Sequence, residues 1–78
     1  MKLTISEMYA FVAEDGEGEG VVAFLAPDGT WMPMVAADAA RVDSLRPIAQ
    51  AMGKSQNITI KLVRFDNRTE METYEPAH

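Results

Sequence analysis

Two runs of the chain, Met8–Ala13 and Val21–Ala26, are apolar at every position rather than at alternate positions. A half-buried strand alternates between apolar and polar residues, because successive side chains point to opposite faces. Strands that are apolar on both faces need a cover on both faces. The rest of the chain predicts a single helix, which covers one face, so we expect a second copy or another protein to cover the other. The candidate interface residues of the expected homodimer are Tyr9, Phe11, Val22 and Phe24.

Turn signals separate three predicted strands in the first half of the chain. The first strand is predicted over residues 7–13, and the following segment 14–20, in which glycines alternate with carboxylates, predicts a hairpin loop. Pro-Asp-Gly at 27–29 ends the second strand. A third strand is predicted over residues 30–35. Because proline cannot donate a ladder hydrogen bond, Pro33 either places this strand at a sheet edge or leaves it short and irregular.

One amphipathic helix is predicted after the third strand. Asp38 is placed to be its N-cap, and Gly53 stands where a left-handed C-cap belongs. Pro47 leaves two alternatives open, because an interior proline removes a helical hydrogen bond. Either the helix kinks there, or a second helix starts at Asp43 or Ser44 and holds Pro47 in its first turn. The apolar stripe consists of Val42, Leu45, Ile48, Ala49 and Met52.

The remainder of the chain predicts one or two further strands. The β-branched run Ile58–Phe65 predicts a fourth strand, and its apolar residues on both faces predict a bulge or a twist toward the edge. Residues 66–68 predict a turn, the alternating segment Thr69–Tyr74 a short fifth strand at an edge, and residues 75–78 a frayed tail.

These elements together predict one domain over residues 1–78. Its predicted class is α+β: a four- to five-stranded, mainly antiparallel sheet with one helix packed on one face, in the order β-β-β-α-β-β.

Residue types that support catalysis or metal binding are scarce. The 78 residues contain no cysteine, and the one histidine is the last residue, His78. A serine nucleophile needs a positioned base beside it. The carboxylates at 14–19 do not follow the spacing of a calcium-binding loop. We therefore expect no catalytic residue, no metal and no other cofactor, in a protein that is not an enzyme.

The charge of the chain points to the kind of partner. Twelve carboxylates against seven Lys and Arg give a formal charge of −5. Such a balance repels phosphate backbones, so we expect no direct nucleic-acid binding and a basic protein or nucleoprotein complex as partner. Residues 1–7 lack the features of a signal peptide, and no run reaches the roughly 20 apolar residues of a membrane span. We expect a cytoplasmic protein without membrane contact.

Carboxylates and adaptable apolar side chains form the candidate partner-binding set. Acidic residues steer docking on a basic surface, and Trp and Met are typical of adaptable interfaces. We expect the basic residues Lys61, Arg64 and Arg68 to pair with C-terminal carboxylates of the same chain. The candidate partner-binding residues are Glu14, Asp15, Glu17, Glu19, Trp31, Met32, Glu70 and Glu72.

The order of these elements resembles that of a HicB-type antitoxin. The resemblance is carried by the aromatic-rich strand at 9–12, the Asp/Gly hairpin after it, and the second apolar strand with Val22-Ala23-Phe24. A turn, a helix and a closing strand that ends at Phe65 complete it. The resemblance implies an antitoxin domain that neutralises a small basic ribonuclease toxin.

The chain also resembles the anti-CRISPR proteins, the small acidic inhibitors that phages make against bacterial defence. The resemblance is carried by its size, negative charge, α+β order and lack of catalytic groups. It implies an inhibitor that docks on a basic groove of a CRISPR effector and blocks nucleic acid there, in the host-cell cytoplasm if the chain is phage-encoded. We take this inhibitor as the first hypothesis and the antitoxin domain as the alternative.

Overall fold

A computed structural model of the protein describes residues 4–76. The elements are β1 (Met8–Asp15), β2 (Gly18–Val21), β3 (Ala23–Leu25), β4 (Trp31–Pro33), β5 (Val35–Ala36), α1 (Ala39–Gln56) and β6 (Ile60–Phe65). The predicted class is confirmed: antiparallel strands form sheets, and one helix lies against them in an α+β arrangement.

β1 is the centre of the main sheet, since it pairs antiparallel with three other strands. Along one edge it pairs with β6, from Met8 opposite Phe65 to Ala13 opposite Ile60. Along the other edge its C-terminal half pairs with β2 and its N-terminal half pairs with β5. β3 and β4 pair with each other as a second hairpin, in a separate two-stranded sheet.

Val22 and Met34 mark the point at which the second hairpin leaves β1. The amide of Val22 donates to the carbonyl of Phe11 over 2.9 Å, and the amide of Phe11 donates to the carbonyl of Met34 over 3.0 Å. The amide of Met34 donates to the carbonyl of Val22 over 2.8 Å. All three residues are buried. The strands predicted at 21–26 and 30–35 are therefore each interrupted at a buried residue, and the chain beyond each interruption belongs to a different sheet.

α1 is one continuous helix that runs through Pro47. Asp38 caps it as predicted, because its Oδ1 accepts a hydrogen bond from the amide of Arg41 over 2.9 Å. Pro47 is exposed within the helix. The alternative of a second helix that starts at Asp43 or Ser44 is therefore wrong.

The predicted C-cap at Gly53 is wrong, because the helix continues to Gln56. The cap is Asn57, which adopts the left-handed conformation with φ 53° and ψ 49°. Asparagine is one of the few residues other than glycine that tolerate this conformation. Gly53 has another role: a Cβ there would lie 3.3 Å from the carbonyl oxygen of Ile58, so glycine lets the chain after the helix pass close to it.

The core lies between α1 and one face of the main sheet. The predicted helical stripe supplies it, since Val42, Leu45 and Ala49 are buried and Ile48 and Met52 pack against them half-buried. The sheet residues that meet this stripe are Phe11, Val22, Met34 and Ala36.

One prediction about the strands is wrong, and one of two alternatives for the fourth strand is excluded. The acidic segment 14–20 is not a loop, since β1 and β2 continue through it and leave Gly16 and Glu17 as the turn. The fourth strand has no bulge, because its register with β1 is unbroken. Val63 and Phe65 lie opposite Ala10 and Met8, on the sheet face that points away from the helix.

The turn predicted at 66–68 and the fifth strand predicted at 69–74 are absent from the described residues. Residues 67–69 instead line the same cleft as residues 4–8. The chain thus continues past the end of β6, beside the residues that precede β1. We call residues 66–76 the C-terminal arm. The predicted frayed tail at 75–78 lies partly outside the described residues, which end at 76.

Candidate protein-binding surface

The acidic residues of the first hairpin stand on a strand ladder. Glu14 lies directly opposite Glu19 in the pairing of β1 with β2, and both side chains are exposed. Like charges directly opposite each other destabilise a strand pair. The hairpin therefore holds an electrostatic repulsion that a cation from a partner would relieve.

One cation of the chain relieves part of this repulsion. The Nζ of Lys61 lies 3.2 Å from the Oε1 of Glu14, with both side chains more than half exposed. An exposed pair of this kind contributes about 0–1 kcal/mol to stability. Within residues 4–76, no ion pair involves Glu17 or Glu19. Their charges are available to a partner.

The turn of this hairpin is fixed by two local features. The Oδ1 of Asp15 accepts a hydrogen bond from the amide of Glu17 over 2.8 Å. Gly18 has φ 139°, a conformation that side chains with a Cβ rarely adopt. The four carboxylates predicted here are thus presented on one narrow, ordered projection.

The second hairpin presents aromatic and aliphatic surface. Trp31, 66% exposed, lies opposite Leu25, which is also exposed. Phe24 lies opposite Met32, and both are half-buried. The apolar side chains that line an adjoining cleft of about 500 Å³ include Leu25, Trp31, Met52 and Ile58. This cleft can receive an apolar side chain of a partner.

Asp28 holds the turn of the second hairpin. Its Oδ1 accepts a hydrogen bond from the amide of Thr30 over 3.0 Å. That hydrogen bond lowers the pKa of Asp28 below its ordinary value, because it stabilises the charged form.

The sheet face that points away from α1 is apolar at its centre. Ala10 and Val12 of β1 point to this face, because Phe11 between them points into the core. The cross-strand partners of β1 that share the face are Val21, Val35, Lys61, Val63 and Phe65. Phe65 at its end is 53% exposed. The five cross-strand partners just listed, together with Met8 and the buried residues Ala10 and Val12, are called the open face.

The four candidate interface residues lie on the opposite, helix-covered side. Phe11 and Val22 are buried in the core, and Tyr9 and Phe24 pack against it. Their apolar character is accounted for by the core of the protein itself. Sequence reasoning predicted a second apolar face but assigned the wrong residues to it, because period-two alternation identifies its members only after one β1 residue is known to face the helix.

Glu70 and Glu72 lie on the C-terminal arm. The Oε1 of Glu70 is 4.0 Å from Arg68, and its Oε2 accepts a hydrogen bond from the hydroxyl of Thr73 over 2.9 Å. The hydroxyl of Tyr74 donates to Glu72, and this hydrogen bond raises the pKa of Tyr74. All these contacts are local to the arm.

The structure does not bring the two acidic groups together. β6 runs antiparallel to β1, so the arm starts at the Met8 end of β1, whereas the first hairpin lies at the Asp15 end. An eight-residue strand spans roughly 25 Å. The predicted partner-binding residues therefore fall into three places: the first hairpin, the second hairpin and the arm.

The predicted pairing of basic residues is confirmed in part. Arg64 lies 3.4 Å from Asp66, and Arg68 contacts Glu70, both on the C-terminal side. Lys61 pairs instead with the first hairpin, because the register of β6 places it next to Val12 and Glu14.

The described residues contain no group of three His, Cys, Asp or Glu side chains that could hold a metal ion. Nor do they contain a helix that is both long and apolar enough to cross a bilayer. Comparison with known proteins finds no matching family model, curated protein or solved structure.

Proposed function

We propose that this protein is a non-enzymatic inhibitor that binds a basic, nucleic-acid-handling protein or nucleoprotein complex and occludes its nucleic-acid site. The observation that carries the proposal is the cross-strand pair of Glu14 and Glu19 on an exposed hairpin. The pair destabilises the free protein and would be stabilised by cations of a partner.

The shape of the hairpin suits entry into a basic groove. Its carboxylates lie in a two-residue turn and on the strand ends next to it, and β2 is exposed along its whole length. Several negative charges on a narrow projection take the place of consecutive phosphates. Charges of this kind raise the rate of association with a basic surface and make that rate sensitive to salt.

Apolar contact area would come from the second hairpin. Trp31 and Leu25 are exposed there next to a cleft, and Met32 lies half-buried beside them. Buried tryptophan side chains are frequent energetic centres of interfaces. β2 of the first hairpin and the two residues that lead into the second hairpin, Val22 and Met34, lie along the same edge of β1. One partner can therefore contact both hairpins.

The partner class that we favour is a CRISPR effector, in line with an inhibitor of the phage anti-defence kind. A HicB-like antitoxin domain is the second candidate, and the order of elements supports it: hairpins, one helix and a closing strand that pairs with the first. The two candidates differ in the partner, since the antitoxin would block a small basic ribonuclease.

The test uses charge-neutral variants of the full chain. Neutralising the hairpin in E14Q/E17Q/E19Q should weaken capture of a basic protein from a bacterial lysate and flatten the salt dependence of binding to the purified partner. The matched control is E70Q/E72Q, which removes acidic residues from the arm. The wild type should compete with nucleic acid for the purified partner.

A single variant separates binding from stability. Glu19→Gln should raise the free energy of unfolding by about 0.2–1 kcal/mol, because it removes the cross-strand repulsion, and should slow association with the partner. Equal binding by wild type and hairpin variant would contradict the proposal. Capture of a ribonuclease whose RNA cleavage is blocked would decide for the antitoxin.

A further inference from the structure

The outer edge of β6 is a free strand edge. Phe11 uses its amide and carbonyl on the side of Val22 and Met34. Because the hydrogen bonds of antiparallel strands alternate, Ala10 and Val12 carry the ladder from β1 to β6. Their partners in β6 are Val63 and Lys61.

The neighbouring residues of β6 consequently direct their backbone groups outward. These residues are Ile60, Leu62 and Arg64. Within residues 4–76, β1 is the strand that pairs with β6, and no other backbone hydrogen bond reaches it. An unpaired row of donors and acceptors is a template for a further strand.

An apolar cleft lies beside this free edge, between β6 and α1. Its volume is about 590 Å³. The side chains on its apolar floor are Phe11, Ala49, Ile60 and Leu62, and Arg46 and Lys54 stand at its rim. Leu62 is 40% exposed, although it faces the helix side of the sheet. A strand added to β6 would cover Leu62 and place alternate side chains over the cleft.

The C-terminal arm has the pattern of a strand without a neighbour. Residues 69–75 carry Glu at 70, 72 and 75, with Met71 and Tyr74 between them. Met71 is 87% exposed and Tyr74 is 84% exposed. The seven residues of this segment are enough to pair with the six residues of β6.

The course of the chain leads the arm away from its own free edge. After Phe65 it continues beside residues 4–8 and makes no turn at 66–68. A free edge and an unpaired strand-like segment are thus present in one molecule, at places that its own chain path does not join.

We propose that two copies of this chain exchange their arms, so that residues 69–75 of each copy pair with the outer edge of β6 of the other. Met71 enters the cleft beside Leu62. With Met71 on the helix side, Glu75 shares its face with Arg64 of β6 and with Arg46 and Lys54 of α1, whereas Glu70 and Glu72 lie on the other face, that of Lys61. The exchange is reciprocal, so each contact occurs twice across one two-fold axis. This assembly does not depend on the proposed function.

Proline variants of the full chain test the exchange at each side of the contact. Met71→Pro removes an amide from the arm, and Met71→Ala is its control. Arg64→Pro blocks the edge, because proline is tolerated in an edge strand where the amide faces outward, and Arg64→Ala is its control. Circular dichroism checks that each variant is folded.

Light scattering should find the wild type at twice the 8.6 kDa chain mass. Each alanine variant loses one side-chain contact but keeps its amide, so it should dimerise more weakly than the wild type and more tightly than the matching proline variant. Each proline variant alone should be monomeric. An equimolar mixture of Met71→Pro and Arg64→Pro should form a dimer again, because one copy retains its edge and the other retains its arm.

Three outcomes would overturn the exchange. A wild type that is monomeric at high concentration would do so, whether the arm folds onto its own β6 or a different protein occupies the edge. A Met71→Pro variant that remains dimeric would show that copies meet elsewhere, for example through the open face. One of the two reciprocal contacts remains in the mixture of the two proline variants, so a mixture that associates no more tightly than either variant alone would exclude exchange between copies.

Discussion

The first hairpin and the C-terminal arm both place carboxylates at alternate positions, yet only the hairpin contains a strand. β2 has the sequence Gly-Glu-Gly-Val, and glycine and glutamate are poor strand formers. The arm contains Thr69, Met71, Thr73 and Tyr74, of which threonine and tyrosine are good strand formers. Intrinsic propensity would have assigned the strand to the arm.

A neighbouring strand explains the reversal. β2 follows β1 after a two-residue turn, so closing the ladder costs little chain entropy. β1 is held in place from the other side by the core, through Phe11. The arm passes beyond Met8, where β1 begins, and finds no strand there within the described residues. In this protein the presence of a strand to pair with outweighs the preference of the residues.

The largest expected effect comes from weakening β1, the strand with which β2 pairs. Phe11→Ala should lower the free energy of unfolding by about 3–5 kcal/mol, since it empties a buried site between β1 and α1. A domain of this length has a total of about 4–12 kcal/mol. Urea denaturation should therefore find that the variant has lost a quarter or more of its free energy of unfolding, with a much lower midpoint concentration.

The matched truncation in the arm is Met71→Ala. It should change the free energy of unfolding by less than about 0.5 kcal/mol, since the side chain is exposed. The measurement belongs at low concentration, where copies are separate. A loss as large as that of Phe11→Ala would mean that the arm packs on the body of the same molecule.

A smaller effect is expected at the turn that joins β1 to β2. Gly18→Ala should destabilise the hairpin by about 1–3 kcal/mol, because φ 139° is strained for a residue with a Cβ. The control is Gly16→Ala, where φ is not positive and no atom lies within 4 Å of the added Cβ. That change should raise stability by about 0.4–1 kcal/mol, by restricting the unfolded chain.

Amide hydrogen exchange measures directly how much protection β2 loses in each glycine variant. In Gly18→Ala the amides of β2 should exchange faster, at rates nearer those of the arm, while those of β6 keep their protection. Equal exchange rates in the Gly16→Ala and Gly18→Ala variants would show that the positive φ of Gly18 does not hold the hairpin.

Local signals explain what the sequence predicts well. Asp38 and the apolar stripe of α1 lie within one helix, so capping and period 3.6 identify them without knowledge of the rest of the fold. The end of the helix is less certain, because Gly53 and Asn57 both tolerate a left-handed cap. The close approach of Ile58 to Gly53, a contact made after the helix, is invisible in the pattern.

Contacts distant in sequence explain what the sequence does not predict. The breaks at Val22 and Met34 arise because Phe11 bonds to both residues. The two faces of β1 differ only once α1 has packed on Phe11. The candidate site shows the same division: composition finds the acidic residues, but only the register places Glu14 opposite Glu19.

The smallest effect compares one type of hydrogen bond in the sheet and in the arm. Tyr9 donates to Glu7 over 2.8 Å, and Tyr74 donates to Glu72, in each case two residues back. The hydrogen bond to the carboxylate raises the pKa of Tyr9 and the pKa of Tyr74 above the ordinary value of 10.0. Arg64 opposes the rise at Tyr9, since a nearby cation favours the phenolate.

The sign of the pH dependence is the same for both tyrosines. A raised pKa in the folded state means that each hydrogen bond contributes fully below pH 10.0 and is lost as the pH rises through the raised pKa.

Ultraviolet titration should show the hydroxyl groups of Tyr9 and Tyr74 ionising above pH 10.0. Glu7→Gln should lower the pKa of Tyr9 alone, and Glu72→Gln that of Tyr74 alone. A Tyr74 that titrates at its ordinary value in the wild type would mean that the arm keeps no contact of its own, and that whatever order it has comes from a neighbouring strand.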